Sequence, residues 1–320
     1  MKRGFNWGQV FHALHLETGG NGFASEEFLS WIRKNYPLDM VKNVRFSGTM
    51  SNTMTLDTVG YNYPQHTQQL INQRKSQPTI SYLIPFVDMF EKLKCESLSF
   101  TINTHVVFEE GDAGLNRMME ALEYVRSRVP INAIELENEG YLYRSLTGLS
   151  TGSPNLADRI ALVGTANAAR NSEVEKAVRD RVNSFLNCLE LQVVPAIAPL
   201  KIPMGISIGN PTNMRERVWN QEVLKRSFYN FIVPHIYITP DSEAAMRSEL
   251  EKRINAVRKP GTDIHVTEFN WNYQTNPAGP SDVRAFRENF FVNLERLGVK
   301  EAHFHCLSQG RGAYSWIQRV

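Results

Sequence analysis

Two glutamates stand where chemistry could be done. Glu139 closes the run Ile134-Glu135-Leu136-Glu137-Asn138-Glu139, and Glu268 closes Ile264-His265-Val266-Thr267-Glu268. Each run reads as a strand with a carboxylate at its exit. Two carboxylates brought to one mouth can divide acid–base and nucleophilic work between them, which is the equipment that cleavage of a glycosidic bond requires. Glu135 and Glu137 complicate the first run. Strand alternation puts them on the same face as Glu139, and three unpaired buried carboxylates would be prohibitively costly. Either cations answer them, or the strand end bulges and re-aims Glu139. Glu137 is therefore the rival to Glu139 for any acid role.

A fold that gathers strand ends around one mouth is needed to position such a pair. Short apolar or β-branched runs alternate with longer helical patterns, and the alternation repeats eight times. This predicts a single-domain (β/α)8 barrel, a TIM barrel, spanning residues 1–320. Strands are expected near 4–8, 41–47, 97–104, 133–138, 203–208, 231–237, 263–267 and 302–307. Helical spacing marks 26–36, 114–128, 156–191, 214–228, 241–258 and 281–297. The segment 156–191 is long enough for two helices. The competing architecture is a doubly wound open sheet, but no Gly-rich phosphate loop follows the first strand. Residues 48–79, rich in Ser, Thr, Asn and Gln, form the main irregular insertion and follow the second strand at the mouth.

Composition narrows the partners. Hydrophobic residues make up 42% of the 320 and charged residues 21%, with 35 basic against 33 acidic side chains and a net charge of +2. That balance implies no polyelectrolyte partner, so nucleic acid is not expected. No run approaches the roughly 18 apolar residues of a membrane helix. The N-terminus has basic residues but no apolar stretch behind them, so it does not read as a secretory signal. A soluble chain, cytoplasmic by default, is the expectation. Cys95, Cys188 and Cys306 are odd in number and far apart, which argues against a disulfide framework.

Asn138-Glu139 at the fourth strand and Glu268 at the seventh resemble the signature of clan A glycoside hydrolases, (β/α)8-barrel enzymes that act with retention. The resemblance implies that Glu139 is the general acid/base and Glu268 the nucleophile of a double displacement on a glycoside, oligosaccharide or polysaccharide, with no cofactor. His235-Ile236-Tyr237 resembles the His-x-Tyr ending of the sixth strand in several families of the clan. By that resemblance Tyr237 would hydrogen-bond Glu268 and His235 would line the mouth. Asn138 would touch the sugar hydroxyl next to the anomeric carbon. Arg45 on the second strand is similar to the arginine near the clan's nucleophile; alternatively it neutralises Glu135 or Glu137. The clan often carries a tryptophan on strand eight. Here that strand reads Ala302-His303-Phe304-His305-Cys306-Leu307-Ser308-Gln309, so Gln309 or Trp316 would have to substitute.

Further candidates cluster after strands. Tyr141 and Tyr143, then Phe269, Trp271 and Tyr273, offer aromatic faces on which a sugar could stack, and equally could pack loops together. His105, at the end of the third strand, is expected to face the mouth. His303 and His305 alternate on one strand face, as metal ligands can. A metal barrel would need more ligands, and His12-x-x-His15 lies outside any strand signal. Two other readings compete with the enzyme. One is a non-catalytic glycan-binding or structural barrel module of a larger assembly; the other is a metal-dependent amidohydrolase-like barrel.

Overall fold

The computed structural model describes residues 1–7, 29–30, 33–34, 38–46, 79–142, 168–211, 214–272, 275–276 and 278–305. Eight parallel strands close into a barrel in sequence order: β1 (Lys2–Trp7), β2 (Asn43–Phe46), β3 (Ser97–Thr101), β4 (Ile131–Glu135), β5 (Met204–Ile208), β6 (Phe231–Ile238), β7 (Asp263–Trp271) and β8 (Glu301–His305). All eight expected strands are present. Parallel barrel strands are covered by helices outside and by each other inside, so nearly continuous burial is the rule, and β2, β3, β5 and β8 are buried at every position. Among the described residues no helix is long and apolar enough to cross a membrane.

Register fixes what faces what. Asn6 on β1 pairs with Arg45 on β2 and with His305 on β8, across the closure of the barrel. His235 on β6 pairs with Glu268 on β7. The register of β7 shifts against β6 between Ile232 and His235, and against β8 between Val266 and Phe269. Such irregularities bend a strand and re-aim its side chains, and these two bracket the approach to Glu268. The expected end of this strand at Thr267 is corrected: pairing with β6 continues as far as Trp271.

The helices depart from expectation in two places. Thr79–Lys92 is helical between β2 and β3, where the sequence pattern predicted no helix; residues 48–78 of the expected insertion lie outside the described residues. Pro85 in its interior weakens the local signal. Packing overrides it: Leu83, Phe86, Val87 and Phe90 are buried, and Phe86 and Phe90 meet Phe46 of β2 edge-on, with ring centroids 5.3 and 6.1 Å away. Downstream, Ala168–Cys188 is one helix that runs through a π turn, Leu189–Val193, into Val194–Ile197. A break within 156–167 would fall outside the described residues.

Candidate active site

Arg45 is the centre of the buried charge at the C-terminal end of the barrel, fully enclosed and with every arm engaged. Its Nε and Nη2 grip Glu135 in a two-pronged pair, at 2.8 Å to Oε1 and 2.5 Å to Oε2. Nη1 donates to Glu268 Oε2 at 2.9 Å. Nη2 also reaches Asn138 Oδ1 at 3.1 Å and His235 Nε2 at 3.2 Å. Both alternatives for this arginine are thus realised at once, since it pairs with Glu135 and also touches Glu268. A planar guanidinium can do this where a lysine could not. Ser99 and Thr101 hydroxyls complete the shell of Glu135, at 3.3 and 3.1 Å. Burial alone would raise the Glu135 carboxyl, but Arg45 outweighs it and holds the group below its ordinary range.

Glu268 is surrounded by donors. Tyr237 Oη donates to Oε1 at 2.5 Å, and Asn6 Nδ2 to Oε2 at 3.1 Å beside the Arg45 contact. Desolvation pushes this carboxyl up; His305, His235 and Arg45, together with the Tyr237 phenol, overcome it and hold Glu268 well below the usual carboxylate range. Of the three cations invoked, Arg45 is the permanent one. His305 is pushed down by burial, and Asn6 Nδ2 approaches its Nδ1 at 3.1 Å. An amide nitrogen can only donate, so that ring nitrogen accepts, which fits a neutral imidazole.

The expected fourth strand, 133–138, is corrected: β4 ends at Glu135, Glu137 and Glu139 lie beyond it, and the three glutamates have three different environments. Glu135 ends β4 and is paired. Glu137 is fully buried, with Ser207 Oγ donating to its Oε1 at 2.5 Å. It is pushed up to about 7, chiefly by burial, with the charge of Glu139 adding while Ser207, the Gly140 amide and His235 oppose. Glu139, past the end of β4, has a left-handed backbone conformation, φ 51°. Few non-glycine residues adopt it, and such outliers mark functional sites. The turn that follows, Gly140–Leu142, carries Tyr141, whose hydroxyl donates to Glu139 Oε1 at 2.9 Å. His235 Nδ1 reaches the same oxygen at 3.0 Å. Because Arg45 donates to Nε2 of that ring, the His235 proton sits on Nδ1. Burial lowers His235, yet Glu268 and Glu139 outweigh it and raise the ring. Two donors, Tyr141 Oη and His235 Nδ1, thus converge on Oε1 of Glu139.

His235 Nδ1 also lies 3.8 Å from Glu268 Oε2. Sharing this nitrogen, the nearest oxygens of Glu139 and Glu268 are at most about 7 Å apart. Arg45, Asn138, Glu139, His235, Tyr237 and Glu268 are therefore all within one hydrogen-bonded cluster.

Other expected residues are placed differently. His105 does not end β3: it opens the helix His105–Glu110, buried, with its ring 6.2 Å from Phe108 and 6.3 Å from Phe185. Trp271 is the last residue of β7, 7% exposed, turned edge-on to Phe286 and donating from Nε1 to the Asn276 carbonyl. Its ring packs a loop and offers no open stacking face. Phe269 is core. Gln309, Trp316, Tyr143, Tyr273, Cys306 and the His12-x-x-His15 pair lie outside the described residues. Cys95 and Cys188 are buried free thiols, and burial raises both, Cys95 to about 11. No group of three or more His, Cys, Asp or Glu side chains among the described residues is arranged to hold a metal ion.

Asn6, the hydrogen bond from Tyr141 to Glu139 and the place of His305 beside Glu268 were not anticipated, whereas the cation that Glu135 was expected to need is Arg45. Tyr141 was legible as a near neighbour of Glu139; Asn6 carries no local signal and joins the site only through strand register.

No family model matches the chain, and no curated protein matches it. Solved structures similar to it include a Bacteroidetes-affiliated GH5 cellulase linked with a polysaccharide utilization locus, at 12% identity and TM-score 0.45 over 99% of this chain and 84% of that one. A fungal β-1,4-galactanase matches at 10% identity and TM-score 0.48, over 95% and 88%. A GH5-4 broad specificity endoglucanase from Bacteroides salanitronis matches at 12% and 0.46, over 98% and 86%. The barrel assignment rests on the chain's own closed strand order.

Proposed function

We propose that this barrel is a retaining glycoside hydrolase, acting on O-glycosidic bonds of a glycoside, oligosaccharide or polysaccharide. One observation carries the reading: Glu139 and Glu268 converge on His235 Nδ1, at 3.0 and 3.8 Å, with Glu268 braced as an anion by Arg45, Asn6 and Tyr237. Retaining pairs stand about 5–5.5 Å apart and inverting pairs about 6.5–9.5 Å, and the nearest oxygens of Glu139 and Glu268, at most about 7 Å apart through the shared nitrogen, are close enough to act on one glycosidic bond.

In this mechanism Glu268 Oε attacks the anomeric carbon while Glu139 gives its proton to the departing oxygen, so the glycosidic bond breaks as the glycosyl–Glu268 ester forms. Glu139, now ionised, takes a proton from water, which attacks the anomeric carbon and returns Glu268 as a carboxylate. Arg45, Asn6 and Tyr237 keep Glu268 anionic for the first step and stabilise it as the leaving group in the second. Arg45 occupies Asn138 Oδ1, which leaves Asn138 Nδ2 to donate to a substrate hydroxyl.

The test is intact-mass spectrometry after incubation with activated glycosides bearing fluorine beside the anomeric carbon, in a panel of sugars. A sugar-sized adduct on the wild type that is missing from Glu268→Gln is the expected result. An adduct on another residue, or an equal adduct on the variant, overturns the assignment.

A further inference from the structure

Glu137 is a fully buried carboxyl with no role in the chemistry above, and it is built into the base of the turn that carries Glu139. Ser207 of β5 donates to it, and Ser207 is itself held at its carbonyl by Trp219 Nε1 at 2.8 Å. Trp219 is fully buried and meets Tyr141 edge-on, the same tyrosine that donates to Glu139. The packing has no slack. A Cβ added at Gly140 would stand 2.5 Å from Glu137 Oε2 and 2.5 Å from Trp219 Cη2. Arg45 answers Glu135 two residues earlier, but no described cation pairs with Glu137. An isolated buried carboxyl gives up its charge, since the cost of holding an anion out of water exceeds that of keeping the proton.

We propose that Glu137 is a positioning residue for Glu139: wedged between Ser207, Trp219 and the Gly140 backbone, it clamps the left-handed turn that takes Glu139 off the strand and aims it at the mouth. This rests on Glu139 being the acid/base of the proposed reaction. The titratable groups facing Glu137 are Glu139 and His235, with Tyr141 beyond Trp219. Ionising Glu137 would set a second negative charge behind Glu139, so the clamp works in its neutral form.

Glu137→Gln keeps the shape and the neutrality; Glu137→Ala removes the wedge; Ser207→Ala loosens it if the larger deletion does not fold. With the sugar identified by trapping, each variant is assayed on two aryl glycosides. The dinitrophenyl glycoside leaves without a proton, and the unsubstituted phenyl glycoside needs one. Misaiming a catalytic group by about 1 Å costs on the order of 10²-fold. Glu137→Ala is expected to lose about that factor in kcat/KM, which reports the glycosylation step, on the phenyl glycoside, and less than about threefold in kcat/KM on the dinitrophenyl one, while Glu137→Gln keeps both. Equal losses on both substrates in Glu137→Ala, or a Glu137→Gln as impaired as Glu137→Ala, overturn the proposal. Two readouts stand apart from turnover. Infrared difference spectra of the wild type at neutral pH should show a protonated carboxyl band that Glu137→Gln lacks, and a crystal structure of Glu137→Ala or Ser207→Ala should show Glu139 leaving positive φ. If no glycoside is turned over, the glycosidase reading fails, and an unchanged Glu139 backbone in those crystals separately overturns the clamp.

Discussion

Replacing Arg45 by methionine should expose how much the buried charge cluster contributes. Arg45 and Glu135 are both fully buried, and Glu268 is 9% exposed, so the variant leaves two carboxylates without their cation in a site that water hardly reaches. Removing one partner of a buried pair costs about 3–5 kcal/mol, because the remaining charge is uncompensated. Ser99 and Thr101 continue to donate to Glu135, which favours the lower part of that range, near 3 kcal/mol. The cost should depend on pH, and its sign follows from Glu135. In the wild type Arg45 depresses this carboxyl. Its contribution is therefore complete above the unfolded glutamate value of about 4.3 and is lost as pH falls through the lower folded value. In Arg45→Met the same carboxyl is raised by burial, takes a proton on mild acidification and stops being a buried charge. The destabilisation should thus be largest near pH 8 and shrink by more than half near pH 5. Arg45→Met/Glu135→Leu should recover at least about 2 kcal/mol of the loss, since an apolar pair of similar volume can replace a buried ion pair. Urea unfolding of the wild type, Arg45→Met, Glu135→Leu and the double variant at the two pH values measures this. A neutral-pH cost below about 1 kcal/mol, a cost that ignores pH, or a double variant no better than Arg45→Met would refute the reasoning.

Tyr237→Phe removes a donor to an anionic oxygen, worth about 1.5–3 kcal/mol, so kcat/KM should fall roughly 10- to 150-fold. The phenol favours ionised Glu268, so the acidic limb of the pH–kcat/KM profile should also move to higher pH; an unmoved limb would show that Tyr237 does not tune this carboxyl. At the other end of the barrel, Glu301 is buried and pushed up to about 7, mainly by burial, which Lys2 and Asn132 only partly offset. Its neutral form belongs to the folded state, so the associated stability is full below about pH 4 and lost as pH rises through 7. Relative to the wild type, Glu301→Gln should therefore gain on the order of 3 kcal/mol between pH 5 and pH 8. Urea midpoints at the two pH values check it, and a difference that stays constant would contradict a neutral Glu301.

The strands were legible because barrel strands are short, apolar and separated by helical spacing. Their ends were less so. Nothing local tells β7 to run past Thr267; it continues because β6 offers partners as far as Ile238. The helix Thr79–Lys92 was hidden by Pro85 and revealed by its burial against Phe46. Trp271 looked like a sugar platform by position alone, and the ring of Phe286 decided otherwise.

The carboxylates at positions 139 and 268 could be found in the sequence because a β/α repeat fixes which residues stand at strand exits. Alternation also posed the problem of three glutamates on one strand and offered two solutions, a cation or a bend. The structure uses both: Arg45 for Glu135, and a left-handed turn for Glu139. Glu137 has neither, and its neighbours are Ser207 and Trp219 from elements far along the chain. Asn6 and His305 enter because barrel closure sets β1 beside β8. A charge state is set by the dielectric and the charges within a few ångströms, and in a closed barrel most of those come from other strands. The chain alone thus determined where the acids stand, and only the tertiary structure decided which of them keeps its proton.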